Sequence, residues 1–312
     1  MLNFILIVFC VGVGVLLSRL KLLPADAYKS VNAWVLYVAL PALALRFVPA
    51  IQWSTALLLP ALGPLLVWGG AWVFVSAYDY RRRLLPASRT ALFVICGLGN
   101  TAFLGFPMIS AFYGEAAISH AVVFDQVTFI IFATIGVATV LRASSAKSSS
   151  GTANFLFIFK KILRFPPFIA CMVALTLPRF ADISAATPLL EKLIATMSPM
   201  ALFSIGLQLR LGEIKREWRL LTVGIFYKLL LAPCLVLALA LLMQSGGTLA
   251  KISVFEAGMS SHITASLLVS QSNLSPRYCS LVVGLGIVVG FFTSTLWYFV
   301  LQAVFSENCK NI

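Results

Sequence analysis

The stretch Gly97-Leu-Gly-Asn-Thr-Ala-Phe-Leu-Gly-Phe-Pro107 lies inside an apolar segment that runs from Thr90 to Tyr113. Its glycines and its proline disfavour a continuous helix near the middle of a segment long enough to cross a membrane. Lipid cannot bond the backbone groups that such a break leaves free, so irregular backbone at membrane depth survives only against protein or a water-filled cavity. The stretch therefore predicts an interrupted transmembrane helix, which is typical of the substrate site of a transporter.

The composition excludes a soluble globular protein. Of the 312 residues, 61% are hydrophobic and 11% are charged, whereas soluble domains carry about 25% charged residues. The chain has 23 Lys and Arg against 10 Asp and Glu, a net charge of +13. These basic residues lie in short loops between apolar runs and form no clustered basic face, so they indicate topology in a lipid bilayer and argue against a nucleic-acid partner.

Apolar runs of about 20 residues, the length of one membrane crossing, predict an all-α protein with ten transmembrane helices. Most of the basic residues fall in the loops that follow odd-numbered helices. The positive-inside rule places those loops in the cytoplasm and both termini outside. The ten helices are expected near residues 2–20, 31–50, 54–76, 90–113, 120–141, 165–179, 187–209, 220–243, 250–272 and 279–304.

An odd number of helices in each half makes the two halves enter the membrane in opposite directions, as inverted repeats. Leu40-Pro41-Ala-Leu-Ala-Leu45 resembles Ser198-Pro199-Met-Ala-Leu-Phe203. The same offset maps the interrupted fourth helix onto Glu256-Ala-Gly-Met-Ser-Ser-His-Ile-Thr-Ala265, in the ninth. We expect a first five-helix repeat at 1–141, a flexible cytoplasmic linker at 142–164, a second, inverted repeat at 165–305 and a C-terminal tail at 306–312.

Polar residues at the two breaks are candidates for substrate binding. The amide of Asn100 and the hydroxyl of Thr101 can bind a carboxylate, and half-helix N-termini add positive dipole there. Alternatively, Asn100 only caps the half-helix. Ser261, His262 and Thr264 are the matching candidates in the ninth helix. His262 can bind substrate, titrate between about pH 5 and 8, or satisfy a neighbouring carbonyl.

Ionisable residues at membrane depth are candidates for coupling to H⁺ or Na⁺, because burying one costs roughly 3 kcal/mol or more. Glu256 is such a residue, although Lys251 is five residues away and can pair with it near the membrane surface. Asp125 and Gln126, in the fifth helix, serve either ion coupling or an interior structural hydrogen bond.

Two basic side chains within predicted helices have two possible roles each. Lys228 and Arg46 can act as counter-charges for a substrate, but both lie within reach of a helix end. We therefore expect both to extend their charged groups to the membrane surface.

Small residues are expected where two interrupted helices cross, because they let backbones approach closely. The residues expected to set this geometry are Gly97, Gly99, Gly105, Pro107 and Gly258.

Motifs of membrane-embedded enzymes are absent from the sequence. There is no His-Glu-x-x-His, no Gly-x-Ser-x-Gly and no phosphate-binding Gly-x-x-x-x-Gly-Lys. The six cysteines are scattered without metal-ligand spacing. We expect no enzymatic activity, no metal and no cofactor. A channel is the remaining alternative, although rings of charge and a repeated filter loop are missing.

Several motifs resemble the auxin efflux carrier family. Asn100-Thr-Ala-Phe-Leu-Gly-Phe-Pro107, followed by Tyr113-Gly114, is similar to the fourth-helix motif Asn-Thr-x-x-x-Gly-x-Pro of that family. Leu40-Pro41-Ala-Leu, Pro166-Pro167-Phe and Pro199-Met-Ala-Leu-Phe-Ser-Ile-Gly206 also resemble it. With the spacing of the ten helices, the resemblance covers nearly the whole chain.

The resemblance implies the bile-acid/auxin-type fold, in which broken helices 4 and 9 cross at mid-membrane. Helices 1, 2, 6 and 7 would form a scaffold, often dimeric, and helices 3–5 and 8–10 a moving core. Family substrates are small organic anions such as auxin, malate or malonate. The short linker resembles that of bacterial members, which implies the inner membrane. A proton-driven exporter of amino acids or neutral metabolites is the alternative.

This sequence departs from the family at the ninth-helix crossing. Where the family commonly has proline, this chain has Ser260-Ser261-His262. Either serine hydroxyls bond to backbone and hold the break open, or the helix is less fully broken.

Overall fold

The computed structural model describes residues 2–51, 54–144, 166–176, 184–209 and 217–307. Across these ranges the chain is helical. They contain no β-strand, and their one β-type pairing is an isolated antiparallel bridge. Most of the predicted linker and most of the predicted tail lie outside the described residues.

The helices of the first half begin with α1 (Leu2–Arg19) and α2 (Ala27–Trp34), which continues through a π-helical turn into α3 (Leu40–Phe47). The remaining helices of this half are α4 (Leu58–Arg82), α5 (Pro86–Gly97), α6 (Phe106–Tyr113), α7 (Ile118–Ile131) and α8 (Val137–Ser144).

The second half is described from α9 (Pro166–Thr176) onward. It continues with α10 (Thr187–Ala195), α11 (Met197–Gln208), α12 (Trp218–Phe226), α13 (Ala232–Leu242), α14 (Gly247–Ala257), α15 (Ile263–Gln271) and α16 (Pro276–Glu307). A π-helical turn, Tyr227–Leu231, joins α12 to α13.

Six helical segments of the described chain are long and apolar enough to cross a membrane, so the protein is a multi-pass membrane protein. Two shorter apolar helices are Ile5–Arg19 and Thr101–Tyr113. Six described segments meet the length, whereas the fourth and ninth predicted helices are interrupted and the described parts of the first and sixth are shorter than a membrane crossing. The six are Ala27–Phe47, Thr55–Arg82, Glu115–Ser144, Thr187–Gln208, Trp218–Leu242 and Pro276–Phe305.

The chain forms two compact units. Unit 1 comprises Met1–Trp53, Ala102–Val122 and Lys160–Leu209, and unit 2 comprises Ser54–Thr101, Val123–Phe159 and Arg210–Ile312. Unit 1 therefore groups the helices expected for a scaffold. It also contains residues 102–122, which the resemblance had assigned to the core.

Unit 1 is held together by close packing of α1 against α11. A methyl group added at Gly14 would meet the carbonyl oxygen of Phe203, and one added at Gly206 would meet the carbonyl oxygen of Val11. The hydroxyl of Ser18 donates to the carbonyl of Leu207, in the same pair of helices, at 3.2 Å. Small residues thus let two helix backbones approach closely, as they do in other membrane proteins.

Arg46, also in unit 1, has a partner at the surface. Its guanidinium lies 3.3 Å from the carboxylate of Glu191, and both side chains are exposed. Arg46 is therefore exposed and paired, and its extension to the membrane surface stays a prediction.

In unit 2, aromatic side chains fix the π-helical turn between α12 and α13. The hydroxyl of Tyr227 donates to the carbonyl of Val67 at 2.6 Å, and the indole nitrogen of Trp297 donates to the carbonyl of Leu229 at 2.9 Å. These bonds attach the turn to α4 on one side and α16 on the other. The position of Lys228, within the turn, is fixed as a result.

Candidate functional site

The first interruption lies where the opening motif predicted it. Helix α5 ends at Gly97, and Leu98 has extended backbone angles of φ −122° and ψ 126°. A π-helical turn, Thr101–Gly105, then leads into α6. The predicted break in the fourth helix is confirmed.

The second interruption forms without proline. Helix α14 ends at Ala257, and α15 begins at Ile263. The residues between them, Gly258 to His262, are not helical. Of the two outcomes considered for this sequence, the fully broken helix is the one that the structure has.

The two breaks cross within unit 2 and bond to each other through their backbones. Gly99 and Ser261 form an antiparallel bridge. The amide of Asn100 donates to the carbonyl of Ser260 at 2.7 Å, and the amide of His262 donates to the carbonyl of Leu98 at 3.1 Å. Each break thus satisfies backbone groups that the other leaves without helical partners.

The alternative in which serine hydroxyls hold the ninth-helix break fails at Ser260. The hydroxyl of Ser260 is buried and has no hydrogen-bond partner among the described residues. The main-chain hydrogen bonds described above hold the break instead. A side-chain pattern in the sequence gives no direct sign of such bonds, because they involve groups that every residue carries.

Two of the expected glycines lie in close contact at the crossing. A methyl group at Gly97 would clash with the ring of Trp68, and one at Gly99 would lie 3.1 Å from Nζ of Lys228. Gly105 instead has right-handed helical angles, φ −60° and ψ −55°, before Pro107 at the start of α6. Gly258 lies in the second break, where an added methyl group would meet Pro233 at 3.4 Å.

Asn100 and Thr101 are both 2% exposed. The hydroxyl of Thr101 donates to Oδ1 of Asp125 at 2.5 Å, and the amide of Gln126 donates to Oδ2 of the same carboxyl at 3.3 Å. The side-chain nitrogen of Asn100 has no partner among the described residues. Asp125 therefore belongs to a hydrogen-bonded group, whereas Asn100 keeps a buried donor available to a ligand.

His262 performs a structural task at the start of α15. Its Nδ1 accepts a hydrogen bond from the amide of Ala265 at 3.3 Å, which caps the helix. Its ring stacks on Phe132 with centroids 5.0 Å apart. Of its two candidate neighbours, Ser261 is buried in the crossing, whereas Thr264 is exposed on α15.

Glu256 is completely buried in α14. Neither carboxyl oxygen has a hydrogen-bond partner among the described residues. The alternative in which Lys251 pairs with it near the surface is wrong, because Lys251 donates to Oε1 of Gln302 at 2.5 Å. The short distance along the chain had suggested Lys251 as a partner of Glu256, but the helix directs the lysine side chain to Gln302.

Lys228 does not extend to the membrane surface, and that expectation is also wrong. Its side chain is 2% exposed, and Nζ donates to the carbonyl of Ala257 at 2.9 Å. The π-helical turn directs the lysine inward to the last residue of α14. A lysine eight residues inside an otherwise apolar run was the available signal for this position.

In the described ranges, no cluster of three or more His, Cys, Asp or Glu side chains could hold a metal ion. The described cysteines form no disulfide bond with one another. The side chains at the crossing supply amides, hydroxyls, an imidazole, two carboxyls and one ammonium group. Such groups bind and orient a polar ligand.

A multi-pass helical protein with two interrupted helices, bonded to each other at their breaks, belongs to the class of membrane transporters. The comparison with known families agrees, because a family model described as "Membrane transport protein" matches residues 1–298. The chain belongs to this family, the auxin efflux carrier family.

Relatives of this chain are named as transporters. The chain is 23% identical to an "Uncharacterized transporter" of Methanothermobacter thermautotrophicus, covering 92% of this chain and 94% of that protein. It is 28% identical to a "Putative malonate transporter" of Rhizobium meliloti, covering 73% of this chain and 72% of that protein. An "Uncharacterized transporter" of Methanocaldococcus jannaschii is 22% identical over 85% of this chain and 86% of that protein.

Proposed function

We propose that this protein is a secondary transporter of a small organic anion, a mono- or dicarboxylate. The observation that carries the proposal is the buried donor of Asn100, which lies at the crossing and has no partner among the described residues. A buried donor without a partner costs about 1–3 kcal/mol, so its presence is explained if a ligand completes it. The name of the Rhizobium meliloti relative makes malonate the first compound to test.

The electrostatics of the crossing support an anionic ligand. Helix α15 begins at Ile263, immediately after the second break, and its first amides carry partial positive charge toward the crossing. The amide nitrogen of Asn100 adds a neutral donor beside it. Backbone amides, a side-chain amide and a helix N-terminus are the groups that bind carboxylates in other transporters.

The mechanism that fits this arrangement is alternating access of the elevator type. In it, a core that contains the crossing would shift against a scaffold. We assign the ten helices to two inverted repeats, 1–141 and 165–305, with a linker at 142–164 and a tail at 306–312. The interrupted helices 4 and 9 would occupy equivalent places in the two repeats.

The cellular setting follows from charge and resemblance. The positive-inside rule favours cytoplasmic loops after the odd-numbered helices and both termini outside. We assign the protein to the bacterial inner membrane, as a homodimer joined through the scaffold helices. Cysteines introduced next to Arg82 should therefore resist an impermeant thiol reagent in intact cells, and labelling from outside would contradict this orientation.

Coupling to an ion is assigned to the two buried carboxyls. Glu256 has no described hydrogen-bond partner, and Asp125 is bonded to Thr101 and Gln126. A carboxyl that lacks partners in a membrane interior is suited to take up a proton or Na⁺ with the substrate. Of the two, Glu256 is the better candidate because Asp125 already has its hydrogen bonds.

The experiment is a thermal-shift titration of the purified protein with malonate, malate, indole-3-acetate and neutral amino acids. A compound that binds the folded state raises stability by RT ln(1 + [L]/Kd). We expect carboxylates to stabilise the wild type, and Asn100→Ala to weaken their binding about ten- to a hundredfold, which corresponds to about 1–3 kcal/mol.

A second asparagine supplies the matched control. Asn32 accepts a hydrogen bond from Ser204, and both residues belong to unit 1. Asn32→Ala should lower the melting temperature and leave malonate affinity unchanged. Asn100→Ala should weaken malonate binding and leave the melting temperature nearly unchanged. Stabilisation by neutral amino acids and by none of the carboxylates would overturn the proposal.

A further inference from the structure

Lys228 is a buried cation placed directly at the crossing of the two interrupted helices. Its Nζ donates to the carbonyl of Ala257, the last residue of α14. On the other side, Nζ faces Gly99, where an added methyl group would lie only 3.1 Å from it. Because Gly99 has no side chain, no side chain of that residue separates the ammonium group from the backbone of the first break.

The hydrogen bonds of this ammonium are incomplete. A lysine ammonium has three N–H donors, and among the described residues it has one acceptor, the carbonyl of Ala257. No carboxylate in the described ranges lies within 4 Å of Nζ. A buried cation with free donors is costly unless an anion or other acceptors complete it.

Two ionisable side chains are adjacent in sequence to groups that Lys228 contacts or to their bridge partners. Glu256, completely buried in α14, directly precedes Ala257, whose carbonyl accepts from Nζ. His262 directly follows Ser261, which is bridged to Gly99 beside Nζ. Both oxygens of Glu256 lack hydrogen-bond partners among the described residues. Glu256 is therefore the buried carboxyl next to the acceptor of Nζ along α14, and neither of its oxygens bonds to the ammonium group.

We propose that Lys228 is the residue that makes the crossing select anions, with Glu256 as its counter-charge when the site is empty. A bound carboxylate accepts the free N–H donors beside Gly99, where the donor of Asn100 is the next side chain along the break. This inference rests on the proposed carboxylate transport. It adds the source of charge selectivity, which a neutral amide alone does not supply.

A purely structural role for Lys228 makes different predictions. A lysine at the C-terminal end of a helix stabilises the last carbonyls and the helix dipole. If that were its whole task, removing the charge would lower stability and leave the preference between charged and neutral ligands unchanged. The decisive quantity is therefore the ratio of affinities for an anion and its neutral analogue.

The experiment compares malonate with malonamide, which has nearly the same shape and no charge. Both are titrated by isothermal calorimetry against the wild type, Lys228→Met and Lys228→Arg. We expect Lys228→Met to weaken malonate binding about a hundredfold and to leave malonamide binding within about twofold. Lys228→Arg should keep part of the malonate preference, because it keeps the charge. Lys251→Met is the control, since its ammonium is bonded to Gln302.

Melting temperatures give a second, ligand-free measurement. Lys228→Met alone leaves Glu256 buried without a counter-charge, so it should lower the melting temperature more than Lys228→Met combined with Glu256→Gln. If the single variant does not fold, the malonate-to-malonamide ratio is measured in the double variant. The double variant should also have lost the preference for malonate.

The outcomes separate the two proposals. A wild type that binds malonate, with the same preference in Lys228→Met or in the double variant, overturns the role of Lys228 and leaves carboxylate transport standing. Equal melting temperatures of the single and double variants overturn the charge balance with Glu256. A wild type that binds no carboxylate of the panel overturns the proposed function itself, and with it anion selection by Lys228.

Discussion

Two regions of this protein depend on close backbone approach, and they use it differently. In unit 1, α1 and α11 approach at Gly14 and Gly206 as continuous helices, each with its own internal hydrogen bonds. In unit 2, the crossing at Gly99 and Ser261 replaces helical hydrogen bonds with bonds between two interrupted segments. The first region is regular and the second is irregular.

Polar groups show the same difference between the regions. Beside the first contact, Ser18 and Ser204 both have hydrogen-bond partners. At the crossing, the donor of Asn100 and both oxygens of Glu256 are buried without partners in the described ranges. A region that only stabilises the fold satisfies its polar groups, whereas a binding site keeps some of them for its ligand.

The largest effect on stability is expected from breaking the regular contact. Gly206→Ala places a methyl group against the carbonyl oxygen of Val11, which is backbone and cannot move aside. We expect a loss of about 3 kcal/mol in the free energy of unfolding, measured by thermal denaturation in detergent. Gly12→Ala, on α1 beside Val11 and with open space around it, should change stability by less than about 1 kcal/mol. Equal effects of the two variants would contradict the close contact.

A smaller effect is expected from removing a satisfied bond next to the crossing. Thr101→Val keeps the shape of the side chain and deletes the donor to Asp125, whose carboxyl stays buried. The expected loss is about 2 kcal/mol. In Thr134 the hydroxyl bonds to Ile130 of its own helix near the surface, so Thr134→Val should be nearly neutral. If the two valine variants have the same melting temperature, the hydrogen bond of Thr101 contributes nothing to the stability of the protein.

The smallest effect concerns the cap of α15. His262→Ala removes the acceptor for the amide of Ala265, and loss of such a cap costs about 1 kcal/mol. His262→Asn supplies another good N-cap acceptor and should recover most of that loss. The measurement is chemical denaturation of both variants under identical conditions. Full stability of His262→Ala would assign this histidine a role other than capping.

The two breaks could be predicted from the sequence to different degrees. Glycines and Pro107 marked the first break directly, because these residues disfavour a continuous helix. The second break has no proline, and its position was indicated by its offset from Pro41 and Pro199, by the small polar residues there and by the family resemblance. Its stability comes from main-chain bonds to the first break. No residue type at Ser260 or Ser261 announces such bonds.

The charged residues of the site were harder to place. Lys228 was assigned to the surface from its distance to a helix end, but a π-helical turn directs it inward. Glu256 was given a possible partner from its distance along the chain, yet Lys251 bonds to Gln302 on another helix. The distance of a residue from a helix end predicts its depth in the membrane. The direction of its side chain depends on helices that are remote in sequence.

The bridge between Gly99 and Ser261 has a consequence for how such a protein can diversify. Because main-chain amides and carbonyls hold the crossing, most side chains at residues 260–262 can be exchanged without removing those bonds. Under the proposed function, exchange of residues at the crossing would change the ligand preference while the same backbone frame persists. Chains that differ at most of their positions would then share one frame and transport different substrates.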